Sequence, residues 1–230
     1  MSEPLAPSAA GERPTVWLNC AVSLDGKLAF AAGARARLSS PEDLLRVHRL
    51  RAEVDGIVVG VGTVVLDDPS LAVRWDLLHE PPRAAPYRIV LDASGRTPPG
   101  ARVLDGSAPT IVATSARNRR SYPPPVRTLV AGATTVEPRR LLDALRELGL
   151  RRLLVEGGTG VFTSLVREGL FDRWTIYYAP VAIGGSTAPP LLTGAETAGF
   201  DTAVRLELAG VERAGEGYVA TYVPRAAGAR

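Results

Sequence analysis

The chain has 230 residues, 46% of them hydrophobic and 22% charged, with a formal net charge of +3. That size allows a buried core in one globular domain, while arginines interleaved with Asp and Glu, and no long Lys/Arg block, argue against nucleic acid as a partner. A single cysteine, Cys20, rules out an intrachain disulfide and a thiolate metal cluster, and no apolar run approaches a membrane span.

Residues 1–14, "MSEPLAPSAAGERP", have neither a basic start nor an apolar stretch and are expected to be a flexible leader. "TVWLNCAVS" follows as a strand. "SSPEDLLRVHRLRAE" predicts a helix with Ser40 as N-cap, Pro41 at its first position and two acids in its first turn. "DGIVVG" is a short buried strand, and "YRIVLD", "PTIVAT" and "RTLVAG" are further strands separated by Gly/Pro-rich connections. "EPRRLLDALRELG" spaces Leu141, Leu142, Leu145 and Leu148 for one helix face and stops at Gly149. "RRLLVE" then precedes the glycine cluster "VEGGTG" and an amphipathic run, after which "RWTIYYAPVAI" reads as a strand. "AVRLELAGVERAGEGYVATYVP" alternates apolar and polar residues around a glycine turn, the pattern of an antiparallel hairpin, and 225–230 is expected to be a flexible tail. Together these predict one α/β domain over 15–224, with a mixed central sheet, helices on both faces and a C-terminal hairpin.

Chemistry is sparse outside the glycines. "GVGTVV" (60–65) begins like a dinucleotide fingerprint, but Val65 stands where the third glycine belongs and no acidic residue follows at the expected distance. There is no phosphate-binding loop with a lysine. His48 and His79 are the only histidines, too few for a zinc site or a Ser-His-Asp triad, and His48 reads as a solvated or partly packed helix residue. No metal is expected. Three glycines in four positions at 157–160, between a strand and a helix, are either a plain turn or a helix start whose bare N–H groups receive a phosphate.

Five stretches taken together, "AVSLDGKLA", "RLRAEVDGIVVGVGTVVLDDPSLAVR", "RIVLDASGR", "LLVEGGTGVFTSLVREGLFD" and "APVAIGGSTAPPLL", resemble in order and spacing the reductase domain of riboflavin-biosynthesis proteins. The resemblance runs from about residue 15 to 223. It implies a dihydrofolate-reductase-like fold, a homodimer, a cytoplasmic location and NADPH as cofactor. The implied reaction reduces the ribosyl group of a 5-amino-6-ribosylamino-pyrimidine 5′-phosphate to ribityl. The zinc-deaminase motifs of the bifunctional relatives are missing, so a stand-alone reductase is expected. Two rival readings are a pterin or folate reductase of the same fold and a non-catalytic nucleotide-binding protein.

By resemblance, cofactor contacts fall on Ala21, Thr63, Asp67 and Ser94, and Ser94 and Arg96, in the loop after "RIVLD", are suited to the adenosine 2′-phosphate. The cofactor phosphates fall on Gly157, Gly158, Thr159 and Gly160, continuing through Val161, Phe162, Thr163 and Ser164. Substrate contacts fall on Arg51, Leu71, Arg74 and Glu156, with Arg51 and Arg74 expected to clamp the substrate phosphate. Lys27 and Glu156 are the candidates for polarising or protonating the reacting imine or carbonyl, and Asp25 is expected to fix its turn. One departure stands out: "ARAR" (34–37) replaces a serine and an aromatic residue. Arg35 and Arg37 either add to phosphate binding or mark a pocket for a different substrate.

Overall fold

The computed structural model describes residues 13–31, 36–194, 197, 199–200 and 202–225. Its centre is one nine-stranded sheet. β1 (Thr15–Val22) is buried at all but one position, so its near-continuous apolar sequence belongs to a strand covered on both sides. The remaining strands are β2 (Gly56–Gly60), β3 (Tyr87–Leu91), β4 (Thr110–Thr114), β5 (Arg127–Val130), β6 (Arg152–Val155), β7 (Arg173–Tyr178), β8 (Leu206–Ala214) and β9 (Gly217–Pro224). They lie in the order β5-β4-β3-β2-β6-β1-β7-β9-β8. β1 to β7 run parallel, and β9 pairs antiparallel with both β7 and β8. The mixed sheet and its closing hairpin are as expected.

Helices cover both faces. α4 (Pro138–Glu147) and α5 (Thr159–Arg167) press Leu141, Leu145, Phe162 and Leu165 onto Val16, Leu18, Val58 and Ile89. On the other face α1 (Pro41–Ala52) and α2 (Val61–Asp67) bring Leu50 and Val64 against Trp17, Ile57 and Val90. A fifth, short helix, α3 (Trp75–Leu78), follows the loop after α2. The α1 start is as the sequence predicts: the Ser40 side chain accepts from the Asp43 N–H, Pro41 opens the helix, and Glu42 and Asp43 occupy the first turn. α4 closes on Leu148, with Gly149 at φ +88° just beyond.

Two expectations need correcting. The strand expected over "RWTIYYAPVAI" ends at Tyr178, because Pro180 has no N–H for a ladder and Ala179 makes the final bond, to Val22 O. Arg13, placed in the leader, is instead held bidentately by Asp172 at 2.7 and 2.8 Å. Residues 1–12 of the leader, Arg35, and the tail beyond residue 225 lie outside the described residues. Among the described residues, no helix is long and apolar enough to cross a membrane.

Candidate active site

Because β1, β2, β3 and β6 are parallel, their C-terminal ends emerge together along one edge of the sheet. A cavity of about 980 Å³ opens there, walled by Ala21 near the end of β1, Gly60 at the end of β2, Leu91 at the end of β3 and Glu156 after β6. In open parallel sheets this crevice outside the carboxyl ends is the usual ligand site. The volume is at the upper end of small-molecule pockets, roughly 300–1,000 Å³, enough for a cofactor and a substrate side by side.

Two glycine turns meet at its floor. The Gly60 N–H donates to Gly157 O at 2.7 Å. A Cβ on Gly60 would lie 2.9 Å from Val161 Cγ2, so only glycine lets the start of α2 approach the start of α5 so closely. α5 has no side-chain cap, and among the described residues the N–H groups of Gly158, Thr159 and Gly160 have no acceptor. These donors and the helix dipole form an anion site facing the cavity. Thr63 and Asp67 of α2 line the same wall, with Thr63 Oγ1 3.2 Å from where a Gly158 Cβ would sit.

The structure divides the expected cofactor run. Gly158, Thr159, Gly160, Val161 and Phe162 border the cavity. Thr163 and Ser164 turn back onto their own helix: Thr163 donates to Thr159 O and accepts from Thr193 N–H, and Ser164 donates to Val161 O. Arg96 lines the cavity, and Ser94 lies exposed in the same short loop.

The expected two-arginine clamp is not assembled. Arg51 Nε and Nη2 donate to Glu156 Oε1 and Oε2 at 2.7 and 2.6 Å, and Arg51 Nη1 donates to Ala72 O at 2.9 Å. Arg74 lies in the exposed chain before α3, its guanidinium on Asp76 at 2.7 Å. The Arg74 backbone N–H donates to His48 Nδ1 at 3.2 Å. His48 is therefore a packed residue rather than a solvated one, and burial, then the neighbouring Arg51 charge, pushes its pKa down to about 4. Leu71, at φ +50°, buries its side chain against the α1 face of the sheet and leaves only its backbone for a ligand.

Lys27 sits in the loop after β1, its N–H donating to Ser23 Oγ at 3.0 Å, and its neighbours Leu28 and Ala29 line the cavity. Asp25 does more than fix its own turn. Its carboxylate accepts from Ile183 N–H, Ser23 Oγ–H and Gly184 N–H, which brings its pKa down to about 2 and joins the loop after β1 to residues 183–184. Arg37 is among the lining residues.

Sequence reasoning passed over Gly60 and Gly62 for lack of a third glycine, yet both border the cavity. Their signal was the strand-to-helix position, which makes backbone approach possible without the full fingerprint. It also passed over Leu38 and Leu44, apolar walls whose role depends on how α1 folds over the sheet.

The model of the RibD C-terminal domain matches residues 14–220. The chain is 39% identical over 218 residues to the 2,5-diamino-6-ribosylamino-4(3H)-pyrimidinone 5′-phosphate reductase of Methanothermobacter thermautotrophicus, covering 91% of this chain and 98% of that one. It is 40% identical to the protein of the same name from Archaeoglobus fulgidus, over 91% and 97% of the two chains. Among solved structures, Acinetobacter baumannii RibD superposes with a TM-score of 0.78 at 25% identity, over 93% of this chain and 59% of that one. With the family model matching residues 14–220 and relatives of this identity and coverage, the chain belongs to the RibD C-terminal domain family.

Proposed function

We propose that this protein is an NADPH-dependent reductase of riboflavin biosynthesis, a single catalytic domain over residues 15–224. Its substrate is a 5-amino-6-ribosylamino-pyrimidine 5′-phosphate, whose ribosyl group it reduces to ribityl. The observation that carries the reading is the uncapped α5 N-terminus at the floor of a cavity that also holds Glu156. Near full-length similarity to two reductases named for such a substrate supports the substrate class.

The residues present fit the cofactor. Free N–H groups at Gly158 to Gly160 suit its diphosphate, and Arg96 suits a phosphate on its adenosine ribose. A bound nicotinamide supplies the hydride. The chain's own groups hold and protonate the substrate: Glu156, oriented by Arg51, presents its remaining acceptor sites to the cavity. Lys27 can donate only, and its position next to the lining residues Leu28 and Ala29 supports a role as proton donor to the reacting carbonyl or imine. Arg74, in the exposed chain before α3, attracts the 5′-phosphate, while Arg51 and His48 tie its loop to α1.

A reducing, cytoplasmic location agrees with the single, buried Cys20, whose thiol burial pushes up to about 12. A homodimer is supported by β8, an edge strand that leaves Leu208 and Val211 exposed. Antiparallel pairing of two β8 strands about Gly210 sets Glu207 of each copy opposite Arg213 of the other.

The direct test is NADPH oxidation with the phosphorylated ribosylaminopyrimidine in its amino and deaminated forms, beside a dihydropterin and a dihydrofolate. Turnover of a ribosylaminopyrimidine phosphate is expected. Turnover of the pterin or folate alone would replace this reading, and NADPH binding without any turnover would favour a silent binder.

A further inference from the structure

Asp92 follows β3, is fully buried, and takes no part in the chemistry above. Its carboxylate gathers the next turn of chain. Oδ1 accepts from Arg96 N–H at 2.9 Å; Oδ2 accepts from Thr97 N–H and Thr97 Oγ1–H, each at 2.7 Å, and from the Tyr122 hydroxyl at 3.2 Å. Burial works against its charge, but the donors from Thr97, Arg96 and Tyr122 outweigh that, and its pKa lies below the ordinary carboxylate value.

The segment after β4 grips the same loop from the other side. Thr114 Oγ1 donates to Asp92 O at 2.8 Å, Ser115 Oγ to Ala93 O at 2.7 Å, and Arg120 Nη1 to Gly95 O at 2.7 Å. Arg120 in turn rests 5.0 Å from the centre of the Tyr122 ring. Gly95, at φ +76°, has no room for a side chain, since a Cβ would lie 2.7 Å from Asn118 Oδ1. Within residues 93–96 the Ala93 and Gly95 carbonyls and the Arg96 N–H are thus held before any ligand arrives. The loop ends with Arg96 on the cavity wall.

We infer that Asp92, with Arg120 behind it, is a positioning residue for recognition of the adenosine 2′-phosphate: it fixes the backbone from which Arg96 reaches that phosphate, and so sets the preference for NADPH over NADH. The inference rests on the cofactor reading above. Rigid placement matters because a flexible arginine would lose part of its charge-assisted bonding to the ordering of its loop. Arg120 spends its own donor on Gly95 O, so its part is to hold the loop.

The test is calorimetric binding of NADPH, NADH, 2′,5′-ADP and 5′-ADP to the full-length protein and to Asp92→Asn. In either orientation the amide puts an N–H against a backbone N–H, of Arg96 or of Thr97, and the loop should loosen. The Kd for NADPH and for 2′,5′-ADP is expected to rise about ten-fold, with NADH and 5′-ADP within two-fold; a merely structural role would weaken all four alike. Arg96→Ala tests the parent reading: an unchanged NADPH to NADH ratio there overturns the 2′-phosphate assignment itself. If Arg96→Ala shifts the ratio and Asp92→Asn does not, the positioning role fails alone. In the double variant the two losses should not multiply, and full multiplication would also overturn it. Should Asp92→Asn fail to fold, Arg120→Leu removes the hold on Gly95 O from outside the buried network. It is expected to shift the same ratio about three-fold, and no shift would overturn the inference.

Discussion

The guanidinium of Arg51, on α1, meets the carboxylate of Glu156, after β6, edge to edge, with Nε to Oε1 at 2.7 Å and Nη2 to Oε2 at 2.6 Å. Both side chains are mostly shielded, 14% and 12% exposed, so screening by water is weak and the planar fork fixes the carboxylate in two directions at once. The third arm of Arg51, on Ala72 O, extends the link to the loop that carries Arg74. One helix thus sets the geometry of the acidic group in the cavity and ties down the loop that carries Arg74.

Breaking this pair should be costly in a diagnostic way. Arg51→Ala leaves Glu156 shielded without its partner, and a loss of ~3 kcal/mol of stability is expected in denaturant titrations. Glu156→Ala in addition should cost much less than the sum of the two single changes, because the interaction is already gone. Additive losses would show that the two side chains act independently. In kinetics, Arg51→Lys is expected to lower kcat, since an ammonium cannot hold both carboxylate oxygens in the fork geometry.

Arg74 is expected to behave differently, since its partner Asp76 is exposed and its charge is open to a ligand. Arg74→Ala should raise KM for the phosphorylated substrate roughly ten-fold with little change in kcat, because a phosphate remote from the reacting carbon is held about equally in ground and transition states. Against the dephosphorylated substrate the variant should match the parent. Equal losses on both substrates would assign Arg74 to structure.

For the cofactor floor, Gly158→Val tests the anion site. Gly158 has φ −85°, which any residue tolerates, but a Cβ there would sit 3.2 Å from Thr63 Oγ1, in the space above the α5 donors. NADPH affinity should fall at least ten-fold while the unfolding transition stays close to that of the parent. Binding unchanged in a folded variant would move the diphosphate elsewhere.

How much of this was legible in the sequence depended on the range of the contact involved. The α1 cap could be read from Ser40, Pro41, Glu42 and Asp43 because all its partners lie within one turn. The central parallel strands β1, β2 and β4 could be read because burial on both sides makes them nearly uniformly apolar, and the hairpin from its alternation around a glycine turn, although β8 proves exposed along most of its length. The Arg51 to Glu156 contact spans 105 residues and depends on how α1 lies across the sheet. "RVHRLR" alone therefore showed only an arginine-rich helix. Asp92 read as the last letter of "YRIVLD", since nothing local reveals that four donors converge on it, one of them from Tyr122. Likewise "GVG" was judged against a fingerprint, whereas its physical role is the close approach of Gly60 to Gly157.

His48 supplies a prediction about pH. Its ring is 9% exposed, its Nδ1 accepts the Arg74 N–H, and Arg51, Arg74, Glu156 and Asp76 are the charged groups around it. Burial and Arg51 oppose its protonation, so the folded chain takes up this proton near pH 4, whereas an unfolded chain does so near the ordinary value of 6.5. Between those two values the unfolded state binds more protons, and stability must fall as the pH falls through that window. At 1.36 kcal/mol per unit the full loss is roughly 3 kcal/mol, complete near pH 4 and absent above pH 7. Carboxylates with depressed values, such as Asp25 near 2, add their own loss only below about pH 4, so the two effects separate on the pH axis. His48→Asn keeps an acceptor for the Arg74 N–H, through the amide oxygen, and removes the titration. Its unfolding free energy is expected to be nearly flat from pH 6.5 to 4.5, where the parent slopes downward. A slope that survives in the variant would mean that another group takes up the proton, and that His48 is not the origin of the acid sensitivity.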